Sequence, residues 1–201
     1  MTSNQALARP AAAEASRPVA HVTARVSAYL LDSLVLLVFI LAFFIVGGAV
    51  LLFSSDLGGD DPPDSAYYAF VAVFLAGTVL AWSAFNLTLL RWRGQTAGMY
   101  VVGIRTVGDD GLELTAGRTL LRWFGLHPLL FHPLLLPIWG IASLVAVSIT
   151  LSQAVLITTL ALVLLCLVSP AVSLAAMLLD PERRTISDRL ARTLVVHLEQ
   201  P

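Results

Sequence analysis

A long apolar stretch near the N-terminus constrains the fold of this chain more than any other feature. Residues 25–53 read RVSAYLLDSLVLLVFILAFFIVGGAVLLF, and Arg25 and Asp32 are the charged residues in the stretch. Because a helix needs about 20 apolar residues to cross the hydrocarbon core of a bilayer, the stretch predicts a transmembrane helix. An ionisable side chain inside such a helix costs about 2.5–3.5 kcal/mol on insertion scales, so Asp32 requires a partner.

The composition of the whole chain agrees with a membrane protein. Of its 201 residues, 58% are hydrophobic and 12% are charged, whereas about 25% of residues are charged in soluble domains. Residues 1–20 are rich in Ala, Pro and Ser and predict a disordered cytoplasmic tail. Residues 21–201 suit one compact membrane domain. We expect its surroundings to be the lipid bilayer, and we expect no nucleic acid as a partner.

Apolar runs predict four transmembrane helices. The loop after the first run contains four aspartates and no basic residue, whereas basic residues cluster near the N-terminus, between 91 and 122, and after 180. The positive-inside rule therefore predicts that both termini are cytoplasmic. The expected fold is an all-α membrane bundle whose spans lie at about residues 26–53, 67–90, 131–149 and 153–178.

The segment between the second and third spans predicts a small cytoplasmic sheet. Residues 94–126 contain too many glycines and charges to cross a membrane. Within them, residues 100–107 and 112–115 flank a GDDG turn and predict a β-hairpin. A hairpin alone is marginally stable, so we expect the β-branched segment 193–198 to join it as a further strand.

Two short helices are predicted beside this sheet. Thr115 is a favourable N-cap for a helix that would lie in the headgroup region of the membrane. Asp180 followed by Pro181 predicts the start of a polar C-terminal helix that carries Asp188 and Arg189.

Polar residues in the first two spans predict one polar site inside the membrane. Asp32 lies seven residues after Arg25, and Asn86 lies five residues before Arg91. At 1.5 Å per residue, both are about 8–11 Å from the same cytoplasmic boundary. Antiparallel neighbouring helices would bring them together, and Tyr29 and Ser33 are nearby candidate partners of Asp32. The alternative is that Asn86 bonds a nearby backbone group or a lipid headgroup.

Three sequence motifs follow one another along the chain. They are R-x-x-A-Y-L-L-D at residues 25–32, G-Q-T-A-G with V-V-G-I-R at 94–105, and D-P-E-R-R-T-I-S-D-R from 180. Together they resemble the RDD family of small bacterial membrane proteins, which implies a location in the bacterial cell membrane. The family is named for an arginine, an aspartate in the first helix and a further aspartate, and the resemblance assigns these to Arg25, Asp32 and Asp188.

The same resemblance marks a cytoplasmic motif and two departures from it. Family members usually have a lysine where this chain has Met99, and often a histidine where it has Ser187. The motif residues carried over to this chain are Gly94, Thr96, Gly98, Arg105, Asp180, Asp188 and Arg189.

Two functions fit these observations best, and a third, a membrane enzyme that acts on lipids, fits them least. In the first, the protein is a membrane scaffold, assembly factor or regulator in which Arg25, Asp32 and Asn86 form a structural clasp, working as a homo-oligomer or with another membrane protein. In the alternative, it is an ion- or proton-coupled transporter that uses Asp32 as the titratable group for protons or a monovalent cation. We expect neither an enzyme nor a bound cofactor or metal, because nucleophiles, bases and metal-ligating residues have no usable spacing.

Overall fold

The computed structural model describes residues 18–198. The predicted tail, residues 1–20, therefore lies largely outside the described residues, although Val19 bridges to Val196. The elements in chain order are helices α1 (Val22–Ser54), α2 (Asp64–Arg93) and α3 (Ala97–Val102), strand β1 (Ile104–Gly108), helices α4 (Ala116–Phe124), α5 (Leu136–Thr150), α6 (Gln153–Leu179) and α7 (Ile186–Ala191), and strand β2 (Thr193–His197).

Four helical segments of the described chain are long and apolar enough to cross a membrane. They are α1, α2, the segment Pro133–Thr150 that contains α5, and α6. The four apolar helices predicted as spans are therefore present as candidate membrane-spanning helices. Two of the helices, α1 and α2, extend beyond their predicted bounds by several residues.

The chain divides into two compact units. Among the described residues, the first unit comprises 18–32, 86–131 and 168–198, and the second comprises 33–85 and 132–167. Each unit is described by itself below.

Aromatic contacts between α1 and α2 dominate the second unit. The rings of Phe39 and Trp82 lie 5.6 Å apart between centroids, and Phe44 packs edge-on against Phe74 at 5.6 Å. Gly77 allows this approach, because a Cβ atom there would lie 2.7 Å from the Phe43 ring. Residue size therefore sets how closely these two apolar helices pack.

A two-stranded antiparallel sheet lies in the first unit. Strand β1 pairs with β2 in a register that places Ile104 opposite His197 and Gly108 opposite Thr193. Ile104 and Val195 are fully buried and form a small core with Ala20, Ala28 and Met99. The predicted membership of segment 193–198 in the sheet is confirmed for residues 193–197.

The predicted β-hairpin is wrong. Residues 97–102 form helix α3 instead of a strand, and residues 112–115 form no strand. Thr96 starts α3 by accepting a hydrogen bond from the Met99 amide, and Gly103 ends it in the left-handed region at φ 74°. These capping interactions override the strand preference of Tyr100, Val101 and Val102. The GDDG turn is present, with the Gly111 amide donating to the Gly108 carbonyl over 3.0 Å.

One of the two predicted short-helix starts is confirmed. Thr115 caps α4 by accepting from the Arg118 amide. Asp180 does not cap the C-terminal helix, because α7 begins after Thr185, whose side chain forms a capping box with Asp188. Arg183 at φ 53° interrupts the helical path between Asp180 and Thr185.

Candidate functional site

A buried ion-pair cluster joins three helices of the first unit. Asp188 on α7 is fully buried and binds two arginines. Arg25 on α1 donates through Nη2 to Asp188 Oδ2. Arg122 on α4 reaches the other oxygen, with Nη2 3.0 Å from Oδ1. The cluster therefore ties the start of a spanning helix to two helices of the segment around the sheet.

Backbone geometry orients the Asp188 carboxylate. It is the third residue of α7, and its Oδ2 accepts from the Thr185 amide over 3.1 Å while the Asp188 amide donates to Thr185 Oγ1 over 3.1 Å. Burial raises the pKa of Asp188, but the charges of Arg122 and Arg25 outweigh burial and hold it well below its usual range. Asp188 is therefore a permanent anion in the folded protein.

A second buried acid, Asp32, holds the N-terminus of helix α3. Its Oδ2 accepts from Thr96 Oγ1 over 2.6 Å, and its Oδ1 accepts from the Gly98 amide over 2.7 Å. Thr96 is also the N-cap of α3. One threonine therefore serves both the cap of α3 and the carboxylate of α1.

The two glycines of the G-Q-T-A-G motif are required by close backbone contacts. A Cβ atom at Gly98 would lie 2.0 Å from the carbonyl oxygen of Ala28 on α1. Gly94 has φ +66°, and a Cβ atom there would lie 2.6 Å from the Thr106 carbonyl oxygen. At Gly98, the start of α3 lies against the main chain of α1. At Gly94, the turn between α2 and α3 lies against the main chain of β1, so a side chain fits at neither position.

Two members of the predicted clasp, Arg25 and Asp32, bind separate sets of partners. Arg25 pairs with Asp188, and Asp32 accepts from the G-Q-T-A-G segment. Asn86 is fully buried near the end of α2. Position in the sequence predicts how far along its helix each residue lies, but it does not identify the partner of its side chain.

The remaining predicted residues lie around the cluster or at its surface. Arg105 on β1 lies 3.5 Å from Glu113. Asp180 accepts from Arg189 over 2.8 Å and from Arg184 over 3.2 Å. The two ion pairs of Asp180 hold the connection between α6 and α7 in place.

Two site residues, Arg122 and His127, were missed by sequence reasoning. Burial, and then the charge of Arg122, lowers the pKa of His127 to about 3, so the ring is neutral. Its Nδ1 accepts from the Leu129 amide over 3.2 Å, which places the ring proton on Nε2. Little in the sequence indicates that Arg122 belongs to the site. Arg118 stands one turn before it on the same helix, and the two differ in that Arg122 is buried.

A cavity of about 310 Å³ lies in the first unit beside Asp32 and both arginines of the ion-pair cluster. Its charged residues are Arg25, Asp32 and Arg122, and Tyr29 and His127 also line it. Most of the remaining wall is apolar and includes Val26, Leu30, Leu129, Leu174 and Met177.

Comparison with known families identifies the chain. A family model described as RDD family matches residues 19–192, nearly all of the chain after the tail. The chain belongs to the RDD family. This confirms the resemblance drawn from the three motifs, and RDD proteins are membrane proteins. No curated protein and no solved structure matches the chain.

The charged side chains of the site in this RDD protein form buried ion pairs. Within residues 18–198, no group of three or more His, Cys, Asp or Glu side chains is placed to hold a metal ion. The charged groups that line the cavity are Arg25, Arg122 and Asp32, beside the neutral His127. Asp188 binds both of these arginines.

Proposed function

We propose that this RDD protein is a multi-pass membrane scaffold or regulator of the bacterial cell membrane. In this proposal, a platform made of α3, β1, α4, α7 and β2 faces the cytoplasm and presents a binding surface to another membrane protein or to a second copy of the chain. The buried contacts of Arg25, Asp188, Asp32 and Thr96 hold the platform against the first spanning helix.

The observation that carries this proposal is the way both acids are engaged. Asp188 binds two guanidinium groups and the start of its own helix, and Asp32 binds a hydroxyl and a backbone amide. A carboxylate that cycles protons or ions in transport must exchange such partners, whereas a structural carboxylate keeps them. The geometry therefore favours a holding role for both acids.

The positions of the basic residues support a platform on the cytoplasmic side. Arg91, Arg93 and the arginines from 183 to 192 adjoin the platform, and basic residues near spanning helices favour the cytoplasmic side. Cysteine labelling tests this arrangement in a Cys166→Ser background. Glu182→Cys should react with an impermeant maleimide only after the membrane is opened, and Asp61→Cys should react in intact cells; the reverse pattern would contradict the orientation.

A second candidate function, ion- or proton-coupled transport, has one observation in its favour. Asp32 lines the cavity, so an exchangeable ion or proton would have a route to it. Four spanning helices are few for a transport pathway, so an oligomer would be needed.

Asp32→Asn distinguishes the two functions when flux and assembly are measured on the same preparation. In the scaffold proposal, wild-type proteoliposomes show no proton-coupled cation flux, and Asp32→Asn reduces oligomer or partner recovery. In the transport alternative, wild-type protein carries flux that Asp32→Asn abolishes while assembly is kept. Asp61→Asn is the matched control, because Asp61 is an exposed acid in the loop after α1. Wild-type flux that depends on Asp32 would overturn the scaffold proposal.

A further inference from the structure

We infer that the cavity in the first unit binds one anionic phospholipid, with the phosphate at Arg122 and Arg25 and part of one acyl chain along the apolar wall. The site stands independently of the proposed scaffold role, because it rests on the cavity and not on the platform's partner.

The wall of the cavity contains a hydrogen-bond donor that has no acceptor. Arg122 is 1% exposed, and its Nε has no hydrogen-bond partner among residues 18–198. Asp32, the acid in the same wall, already accepts from a hydroxyl and from an amide. The group that completes this site is therefore an acceptor, and a buried guanidinium prefers a charged oxygen of a phosphate or carboxylate.

The balance of charge near Arg122 points the same way. Arg25 and Arg122 share one carboxylate, that of Asp188. The three groups together carry one net positive charge in a buried setting, where an unpaired charge is costly. Asp32 is seven residues after Arg25 on α1, about 10.5 Å further along the helix, so it does not compensate this charge at contact distance.

The position and rim of the cavity favour a lipid over a water-soluble anion. Arg25 and Asp32 lie about 5–15 Å from the start of a spanning helix, the depth of headgroups and upper acyl chains. Leu30 and Leu174 line the cavity and are 59% and 39% exposed. An acyl chain in the bilayer can therefore enter along an apolar rim.

The size of the cavity limits what it holds. A volume of about 310 Å³ lies at the small end of ligand pockets, about 300–1,000 Å³. It accommodates a phosphate and the first part of one chain, while the rest of the lipid stays in the membrane.

Lipid binding to purified full-length protein tests the inference, by native mass spectrometry and thermal unfolding in neutral detergent. Phosphatidylglycerol and phosphatidylcholine with identical chains are the probes, with inorganic phosphate and a free fatty acid as separate arms. We expect one tightly bound phosphatidylglycerol per chain and a saturable rise in Tm, since a ligand of the folded state stabilises it.

Two variants on α6 locate the site without touching the charged cluster. Ala171 lines the cavity, whereas Ala175, one turn further along α6, does not. We expect Ala171→Trp to weaken phosphatidylglycerol binding at least about tenfold and Ala175→Trp to leave it unchanged. Ala171→Leu gives a smaller change and serves if the tryptophan variant does not fold.

Several results would overturn the inference. One is that phosphatidylcholine binds as tightly as phosphatidylglycerol, and another is that phosphate or fatty acid raises Tm as much as phosphatidylglycerol does. The others are that both Ala171 variants bind phosphatidylglycerol as the wild type does, or that Ala175→Trp loses as much binding as Ala171→Trp. The readout of this experiment is bound lipid, so failure to find a scaffold partner would not change its result. Failure to bind lipid would likewise leave the scaffold proposal untouched.

Discussion

Arg25 and Asp188 are 163 residues apart in the chain and form a buried ion pair. The pair connects the first turns of α1 to the segment that follows the last spanning helix. Because Asp188 also binds Arg122, it is the common anion of two buried cations.

We expect Asp188→Asn to be strongly destabilising. The substitution leaves Arg25 and Arg122 buried without an anion, and removing one partner of a buried pair costs about 3–5 kcal/mol. Arg25→Gln should cost less, because Arg122 still neutralises Asp188. Thermal unfolding of the detergent-solubilised protein measures both.

Two further variants test whether the effect comes from the pairing. Asp110→Asn removes an exposed ion pair with Arg118 and should lower Tm far less. The double variant Arg25→Gln with Asp188→Asn should be more stable than the sum of the single losses predicts. Strict additivity would show that the two side chains act separately.

Gly98→Ala should destabilise the protein because the methyl group has no room. Its Cβ atom would lie 2.0 Å from the Ala28 carbonyl oxygen, so α3 must move away from α1 and weaken the hydrogen bonds to Asp32. Gly117→Ala is the control: nothing lies within 4 Å of its Cβ position, and alanine favours a helix by about 0.5–1 kcal/mol. The two Tm shifts should therefore have opposite signs, and equal shifts would contradict the close contact.

The spanning helices of this protein were predictable from sequence because their signal is local. Length and apolar character within 20 to 30 consecutive residues decide them, as α1 and α6 show. The capped helix α4 was predictable for the same reason, because Thr115 and the residues it caps are adjacent.

The sheet shows where local reasoning fails. Residues 100–102 have a strand composition, but Thr96 and Gly103 close them into α3. Of the two strands predicted for the hairpin, part of the first is present as β1. Its partner, β2, comes from the other end of the chain. Local strand preference was therefore weaker than the capping residues on either side.

Three charged members of the polar site were predictable, but their pairing was not. Arg25, Asp32 and Asp188 stood out as charges in an apolar or motif context, yet spacing along α1 says nothing about which acid α7 brings to Arg25. The same limit hid Arg122, whose burial depends on the packing of α4 against α7.

Thr96→Val should cost more stability than Thr96→Ser. Valine has nearly the same shape but loses both the donor to Asp32 and the acceptor for the Met99 amide. A buried group left without its partner costs about 1–3 kcal/mol, so the loss should be clear in Tm. Serine keeps the hydroxyl and should lie near wild type; equal Tm values for the two variants would show that the hydroxyl of Thr96 contributes little.

The neutral state of His127 predicts a loss of stability on acidification. Burial lowers its pKa to about 3, below the ordinary value of about 6.5. Between these values the unfolded chain binds a proton that the folded protein does not, so stability falls as the pH drops from 6.5 towards 3. The lowered pKa of Asp188 adds a loss that starts at about pH 5 and grows below the ordinary value of 3.8, so most of it lies outside a test range of about pH 7 to 4.5.

His127→Asn isolates this contribution. The asparagine oxygen can replace Nδ1 as the acceptor for the Leu129 amide, but the side chain does not titrate. We expect Tm of the variant to change less than that of wild type between about pH 7 and 4.5, with other titrating groups contributing equally to both. Parallel Tm profiles would mean that His127 takes up its proton in the folded protein as readily as in the unfolded chain, and that its burial beside Arg122 does not control the response to acid.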